Sequence, residues 1–481
     1  MKLSLSSLLN SRPKFAYYQK GLRHFFSSSP TPISSSSFTG SGSLYRRISP
    51  IGNPNLSVVP VLDQWVREGK NVTKEELRHI IKELKTYKRF KHALEVSEWM
   101  TEKRYICLSA SDTAARLNLI SRVHGLEQAE NYFNTISQQL IGFEIYTALL
   151  NCYAQDKSVE KAEAVMQKLR DMGFARTPLS YNILMNLYCC MRSWEKIDAL
   201  IHEMEEKGIF WDNYTFTIRL TAYAAASDSE GIDMTVARME SDPRVVLNTH
   251  TYSVAANGYL KVGLVDKALA MMNKLEGLIA NMKTKNVAFD ILLRLHAKTG
   301  TKDELYRIWS RYKKEKVYNK GYISMMHALL NFNDIEGAEK IFKEWESMGL
   351  SYDFRIPNFL IDAYCKNGLL GKAESLVNRG IEKRGNPTVD TWYYLAGRYI
   401  EDNQVSKAVE TLKKAILVCP PNWKPDKDIL ATCLKHLESQ GDVEEAKEFI
   451  GLLKVKGIFS AGVHERLLSL VKGWKSQSQA Q

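Results

Sequence analysis

The sequence predicts an all-α fold, an αα-hairpin solenoid in which helical hairpins stack into a superhelix with one concave groove. Three observations predict it. A short phrase with a small or aliphatic residue at its centre recurs at residues 93, 129, 162, 197, 232, 268, 305, 338, 373, 408 and 446, a mean step of (446 − 93)/10 = 35.3. Self-similarity at a period of roughly 20–50 residues is the mark of a solenoid or array. Each period holds two amphipathic segments joined by a short polar link. The chain of 481 residues, 44% hydrophobic and 25% charged, is folded in composition yet too long for one ordinary core.

The elements follow in chain order. Residues 1–62 contain Lys2, Arg12, Lys14, Lys20, Arg23, Arg46 and Arg47 and no acidic residue before Asp63. Serines crowd the same stretch. This is the composition of an organellar transit peptide, expected over 1–40. The arginines in its first half favour the mitochondrion over the chloroplast. Residues 41–73 read as a linker and N-terminal cap. The formal charge is +12, from 66 Lys+Arg against 54 Asp+Glu. Without the first 62 residues it is 59 − 54 = +5, so more than half of the excess belongs to that acid-free stretch.

About eleven hairpins are expected over 74–461. The unit beginning at Phe143 shows the pattern. Tyr146, Leu149, Leu150 and Tyr153 stand at i, i+3, i+4 and i+7 and make one helical face. Ala162, Val165, Met166 and Leu169 repeat that spacing in a second helix, which ends at Gly173, a residue suited to the left-handed position after a helix. Asp156-Lys157-Ser158 links the two. One hairpin cannot bury its own apolar face, so stability is shared between neighbours. Residues 462–481 are expected to be a polar C-terminal tail.

Residue identities then choose among helical repeats. Ser180-Tyr181-Asn182-Ile183-Leu184-Met185, closed by Met204-Glu205-Glu206-Lys207-Gly208-Ile209-Phe210-Trp211-Asp212, resembles the pentatricopeptide consensus. Phe359 to Gly368 is similar to that family's first helix. The tetratricopeptide Trp-x-x-Leu-Gly signature is absent. The chain over 74–461 thus resembles a pentatricopeptide repeat protein of the pure (P) class, of the plant organellar type. The match is specific in the units at 143, 178, 249, 319 and 354, and degenerate in the first two units and the unit at 286.

That resemblance implies a partner: single-stranded organellar RNA, read at one nucleotide per repeat by two or three side chains. In the family, the fifth residue of a repeat acts with the last. Asn182 with Asp212 resembles the uridine-selecting pair, and Thr217 with Asn248 the adenosine-selecting pair. Thr147, Ser253 and Asn358 occupy the fifth position with partners outside the standard pairs. The family's phosphate-contacting lysine has matches at Lys261, Lys298 and Lys366. Asn and Asp at helix ends also serve as caps, and lysines there also meet the helix dipole. The mitochondrial ribosome or other proteins are the alternative partners, favoured by the irregular pairs. The tyrosines at 153, 188, 223, 259, 364 and 399 share one phase and read as core. So do Cys152, Cys189, Cys365 and Cys433.

Catalytic patterns are missing. His202-Glu203 and His464-Glu465 lack a second histidine at i+4, and Gly368 to Lys372 is too short for a phosphate loop. Seven scattered cysteines offer neither CxxC pairs nor a disulfide framework. The sequence therefore predicts no enzyme, no metal, no cofactor, no small-molecule substrate and no membrane span.

Overall fold

A computed structural model describes residues 43–53, 56–104, 106–420 and 423–478. Among the described residues it holds 25 α-helices, one 3-10 turn and no strand. The expected leader, 1–40, lies outside them. The helices divide into two compact bodies at Leu247 and Asn248. No described helix is long and apolar enough to cross a membrane.

The first body opens with helices Leu44–Ile48 and Val59–Arg67. Five hairpins follow: Lys74–Thr86 with Phe90–Glu102, Ala110–His124 with Leu126–Thr135, Phe143–Asp156 with Val159–Asp171, Pro178–Met191 with Trp194–Glu206, and Asn213–Ala226 with Ser229–Ser241. The opening stretch is packed on the first hairpin. Leu44, Ile48, Leu62 and Trp65 are buried. Trp99 donates to Asp63 Oδ1 at 2.8 Å, and Arg89 donates to the carbonyls of Ile48, Ser49 and Ile51.

The second body has six hairpins: Thr249–Lys261 with Val265–Leu278, Asn286–His296 with Lys302–Tyr312, Asn319–Asn331 with Ile335–Ser347, Arg355–Lys366 with Leu370–Glu382, Val389–Glu401 with Val405–Val418, and Lys427–Gln440 with Val443–Val455. A last helix, Ala461–Ser478, packs on Val443–Val455. The expectation of a polar tail from 462 needs correcting here. His464, Leu467 and Val471 are buried. They lie at i, i+3 and i+7, a narrow face that the surrounding polar residues disguise.

Within a hairpin the two helices have different work. Pro178–Met191 buries ten residues and Trp194–Glu206 buries four, Ile197, Leu200, Ile201 and Met204. The first helix is covered on several sides, and the second shows one apolar stripe inward and a polar face outward. Burying a Leu or Ile side chain contributes about 1.5–3 kcal/mol, so each junction rests mainly on these stripes. The turn inside each hairpin needs one left-handed residue. Lys157 takes it at φ 66°, as Arg192 and Ser227 do in the next two hairpins, and Gly263 and Gly368 do in the second body. Gly173, beyond the second helix, has φ 68°, as its position predicts.

The phrase that marks the repeat proves to be a joint. Ala162 is fully buried, which is why it must be small. Glu163, beside it, accepts from the Tyr188 hydroxyl of the next hairpin at 2.7 Å and from Lys196 Nζ at 2.6 Å. Lys196 Nζ also lies 5.4 Å from the centre of the Tyr188 ring. The bond to Lys196 holds the Glu163 carboxyl below its usual range, while burial and the Glu163 bond push the Tyr188 hydroxyl up. The second body repeats the joint: Glu339 accepts from Tyr364 at 2.6 Å and from Lys372 at 3.2 Å. Tyr399 likewise donates to Glu374. The tyrosine rings of 188, 259, 364 and 399 are core, with the hydroxyls of 188, 364 and 399 committed to carboxylates of the preceding hairpin.

Candidate nucleic-acid interface

Asn182 sits one turn into Pro178–Met191, buried to 8% exposure. Asp212 is the N-cap of the next first helix, Asn213–Ala226. Asn182 Nδ2 donates to Asp212 Oδ1 at 2.9 Å, and the Thr215 hydroxyl donates to Asn182 Oδ1 at 2.9 Å. Asp212 Oδ1 also accepts from the Thr215 amide at 2.9 Å, closing a capping box. The sequence-predicted pair is therefore a physical pair. Its Oδ1 atoms are committed to the protein. One Asn182 N–H and the Asp212 Oδ2 carry no hydrogen bond among the described residues, which leaves a donor beside an acceptor. Leu179, one turn before Asn182, and Tyr214, two residues after Asp212, are both exposed.

The second body builds the same triad with other residues. Asn358 Nδ2 donates to the Thr388 hydroxyl oxygen at 2.7 Å, and the Thr391 hydroxyl donates to Asn358 Oδ1 at 2.7 Å. Thr388 caps Val389–Glu401 as Asp212 caps its own helix. The residue one turn before Asn358 is Arg355, which is held by Asp353 at 2.5 Å.

The remaining predicted readers are arranged otherwise. Thr217 is 1% exposed and donates to the Asn213 carbonyl at 2.8 Å. Asn248 caps Thr249–Lys261, its Oδ1 accepting from the His250 and Thr251 amides at 2.9 and 3.1 Å. Ser253 donates to the His250 carbonyl at 2.8 Å. Thr147 is buried, and its hydroxyl has no hydrogen-bond partner among the described residues.

The three lysines differ in what they have free. Lys366 is bound to Asp362 Oδ2 at 2.7 Å, so its charge is already met. Lys298 donates to the neutral Asn257 Oδ1 at 2.8 Å. Burial and the like charges of Lys261 and Arg294 hold its ammonium below the usual lysine range. Lys261 is exposed. Sequence reasoning missed Arg294 and His327 in this group. Arg294 donates to the Asp290 carbonyl of its own helix at 3.1 Å, and His327 packs edge-on against Phe359 at 6.0 Å. Burial, Arg294 and Lys298 all push the His327 imidazolium down. The signal was available: 294 and 327 are separated by 33 residues, the same step as the anchors 305 and 338. Lys261, Lys298 and Arg294 lie near one another in the second body, with His327 beside Arg294 and Lys298.

The cysteines are free, and burial pushes the Cys152 thiol up to about 11 and Cys189 to about 12. Cys152, Cys189, Cys365 and Cys433 are buried packing residues. Among the described residues no group of three His, Cys, Asp or Glu side chains is placed to hold a metal ion.

Comparison with known proteins agrees with the repeat architecture. The model of the PPR repeat matches residues 144–174, 250–278, 322–350 and 357–384, and that of the PPR repeat family matches 176–225. A mitochondrial pentatricopeptide repeat-containing protein of Arabidopsis thaliana is 39% identical over 478 residues, covering 98% of this chain and 96% of its own. The chain belongs to the pentatricopeptide repeat family. A second family member from the same plant is 44% identical, covering 86% of this chain and 79% of its own. The Arabidopsis large ribosomal subunit protein mL101 is 40% identical, covering 85% and 84%. The crystal structure of the maize pentatricopeptide repeat protein PPR10 superposes with a TM-score of 0.53 at 16% identity, covering 87% of this chain. This chain spans 62% of that structure, and the likeness speaks for the fold alone. Relatives named as mitochondrial stand among those most similar in sequence, and the mitochondrion is the location of this pentatricopeptide repeat protein.

Proposed function

We propose that the protein binds single-stranded RNA in the mitochondrion and acts in transcript processing, stability or translation by occupying the strand. The observation that carries this reading is the Asn182–Asp212 pair. Its unspent edge is one N–H donor beside one carboxylate acceptor, next to the exposed apolar side chains of Leu179 and Tyr214. A uracil edge offers the complement, a carbonyl acceptor beside an N–H donor. The adjoining apolar side chains supply the surface on which a base face rests. Thr217, Asn248, Thr147, Ser253 and Asn358 belong to the same set of reading positions, with Asn358 the most similar in geometry to Asn182. Lys261 and Lys298 hold phosphates, and Lys366 does so only by giving up Asp362. Activity is by binding, with no catalytic step.

The test is fluorescence anisotropy of the full chain with short RNAs. One uridine-containing site should be preferred over its substituted versions, with Asn182→Ala and Asp212→Ala erasing about 1–3 kcal/mol of that discrimination. Binding that ignores sequence in both wild type and variants would overturn base reading. A second reading has one specific support, the 40% identity to the ribosomal protein mL101. On it, the chain is a ribosome-associated scaffold, and co-sedimentation with mitochondrial ribosomal particles is its test.

A further inference from the structure

The last two hairpins carry an exposed patch for which RNA reading has no use. Nine residues after the repeat marker stand Leu417 and Val455, where three other hairpins have Asp171, Glu206 and Glu382. Leu417 is 54% exposed, its neighbour Val418 49% and Val455 83%. Each sits in the last turn of a second helix, Val405–Val418 or Val443–Val455. Lys456 Nζ donates to the Leu417 carbonyl at 2.7 Å, so the two tips are neighbours. The link that follows Val418 is held in place: Trp423 packs edge-on against Tyr393 at 5.9 Å, and the Asp426 amide donates to the Tyr393 hydroxyl oxygen at 3.2 Å. Aliphatic side chains on exposed tips add no burial to the fold, and a patch of them with a polar rim marks a contact surface.

The charge along both tips has one sign. No Asp or Glu occurs over 411–425 or over 449–464. Lys413 is spent on Glu445 and Glu448 at 3.0 and 2.8 Å, and Lys414 lies over the Trp392 ring at 5.2 Å. Lys424, Lys454 and Lys456 are exposed and meet no carboxylate among the described residues. Lys454 and Lys456 also complement the dipole of Val443–Val455, but that helix gains nothing from an exposed Val455. Aliphatic tips flanked by free lysines match an anionic lipid surface. The hydrocarbon takes Leu417, Val418 and Val455, the lysine stems lie along the interface, and the ammonium groups reach the headgroup phosphates. A nucleic-acid strand asks for flat rings in place of Leu and Val. A partner helix asks for a groove, whereas a side chain 83% exposed projects.

We propose that this edge of the last two hairpins docks the chain on an anionic membrane surface, a peripheral contact that needs no spanning segment. The test is flotation of the full chain with vesicles of phosphatidylcholine mixed with an equal part of phosphatidylglycerol. Wild type should float with these vesicles, stay behind with phosphatidylcholine alone, and be released by salt. The triple variant Lys424→Gln/Lys454→Gln/Lys456→Gln should bind about fivefold more weakly for each lysine lost. Leu417→Ser/Val455→Ser should weaken binding about tenfold without altering its salt dependence. Lys454→Arg/Lys456→Arg should float like wild type. All these side chains are exposed, and an unchanged thermal unfolding midpoint marks the variants as folded. Binding through the basic stretch 1–62 would leave every variant floating like wild type, which overturns the patch as the contact. Wild type that stays out of the vesicle fraction ends the proposal. A triple variant that floats normally but loses affinity for a short RNA gives the lysines to RNA and overturns it too.

Discussion

Two junctions between neighbouring hairpins differ in how they are held. Between Phe143–Asp171 and Pro178–Glu206, Glu163 ties Tyr188 and Lys196 together. Between Thr249–Leu278 and Asn286–Tyr312, the corresponding residues are Leu269 and His296. The carboxylate and the hydroxyl are both gone. His296 is 3% exposed, and its Nδ1 has no hydrogen-bond partner among the described residues. That hairpin is packed by rings within itself and on the hairpin that follows: Phe289 stacks on Tyr312 at 4.9 Å, and Trp309 meets Tyr312 and, in the next hairpin, Tyr322 edge-on at 5.7 and 5.3 Å. A solenoid is a chain of nearest-neighbour couplings, so a hairpin that lacks the polar joint to its predecessor can still be held through its own core and its successor. The exchange moves the stability of the hairpin from a directional link to non-directional packing.

The sharpest break is Trp309→Ala. It removes the ring that packs within Asn286–Tyr312 and on Tyr322 of the following hairpin, and should cost about 3–5 kcal/mol in denaturant unfolding. A cost below about 1 kcal/mol would mean that other contacts hold this hairpin. Next comes a double-mutant cycle on Glu163→Gln and Tyr188→Phe. The coupling energy should be about 1 kcal/mol, against a value near zero for the same kind of cycle on Leu269 and His296. Equal couplings would erase the contrast.

The smallest effect is a pH dependence. Burial holds His296 below the usual histidine range, with Glu304 opposing and Arg307 adding to the shift. Its folded pKa is therefore lower than its unfolded one, near 6.5. The unfolded chain binds the extra proton, so this contribution to stability is present above about pH 6.5 and is lost as pH falls through the folded pKa. His296→Tyr should soften the fall in unfolding midpoint between about pH 7.5 and 5.5, by under about 1 kcal/mol. His250, His327 and His464 are shifted in the same direction, so part of the fall should persist. A variant with the full wild-type fall would clear His296 of any part in it.

The period was legible because its marker is under two constraints at once. Ala162 must be small to let helices approach, and Lys and Glu around it are repeated because they build the joint. The tyrosine phase was legible as core for the ring alone. The hydroxyl partner 25 residues upstream, as in Tyr188 and Glu163, belongs to no local pattern. The pairing of Asn182 with Asp212 followed from position within the repeat. The bonds that commit their Oδ1 atoms did not, because Thr215 enters only once the next helix is in place. Arg294 and His327 escaped because attention to one lysine position overlooks the same face one turn earlier. The last helix escaped because three buried positions among polar residues make too weak a stripe to be seen without the surface that they cover.

Asp212, Asn248, Thr388 and Asp426 each close one repeat and cap the helix that opens the next. On the proposed reading, specificity and folding draw on the same short alphabet, the small polar residues that can bond a helix's first amides. Recoding the protein for another RNA by changing such a residue also rewrites the start of a helix. Substitutions within Asp, Asn, Ser and Thr leave the scaffold nearly untouched, while any other choice loosens the next repeat. The vocabulary with which the chain can evolve new targets is limited by what a helix will accept as its first letter.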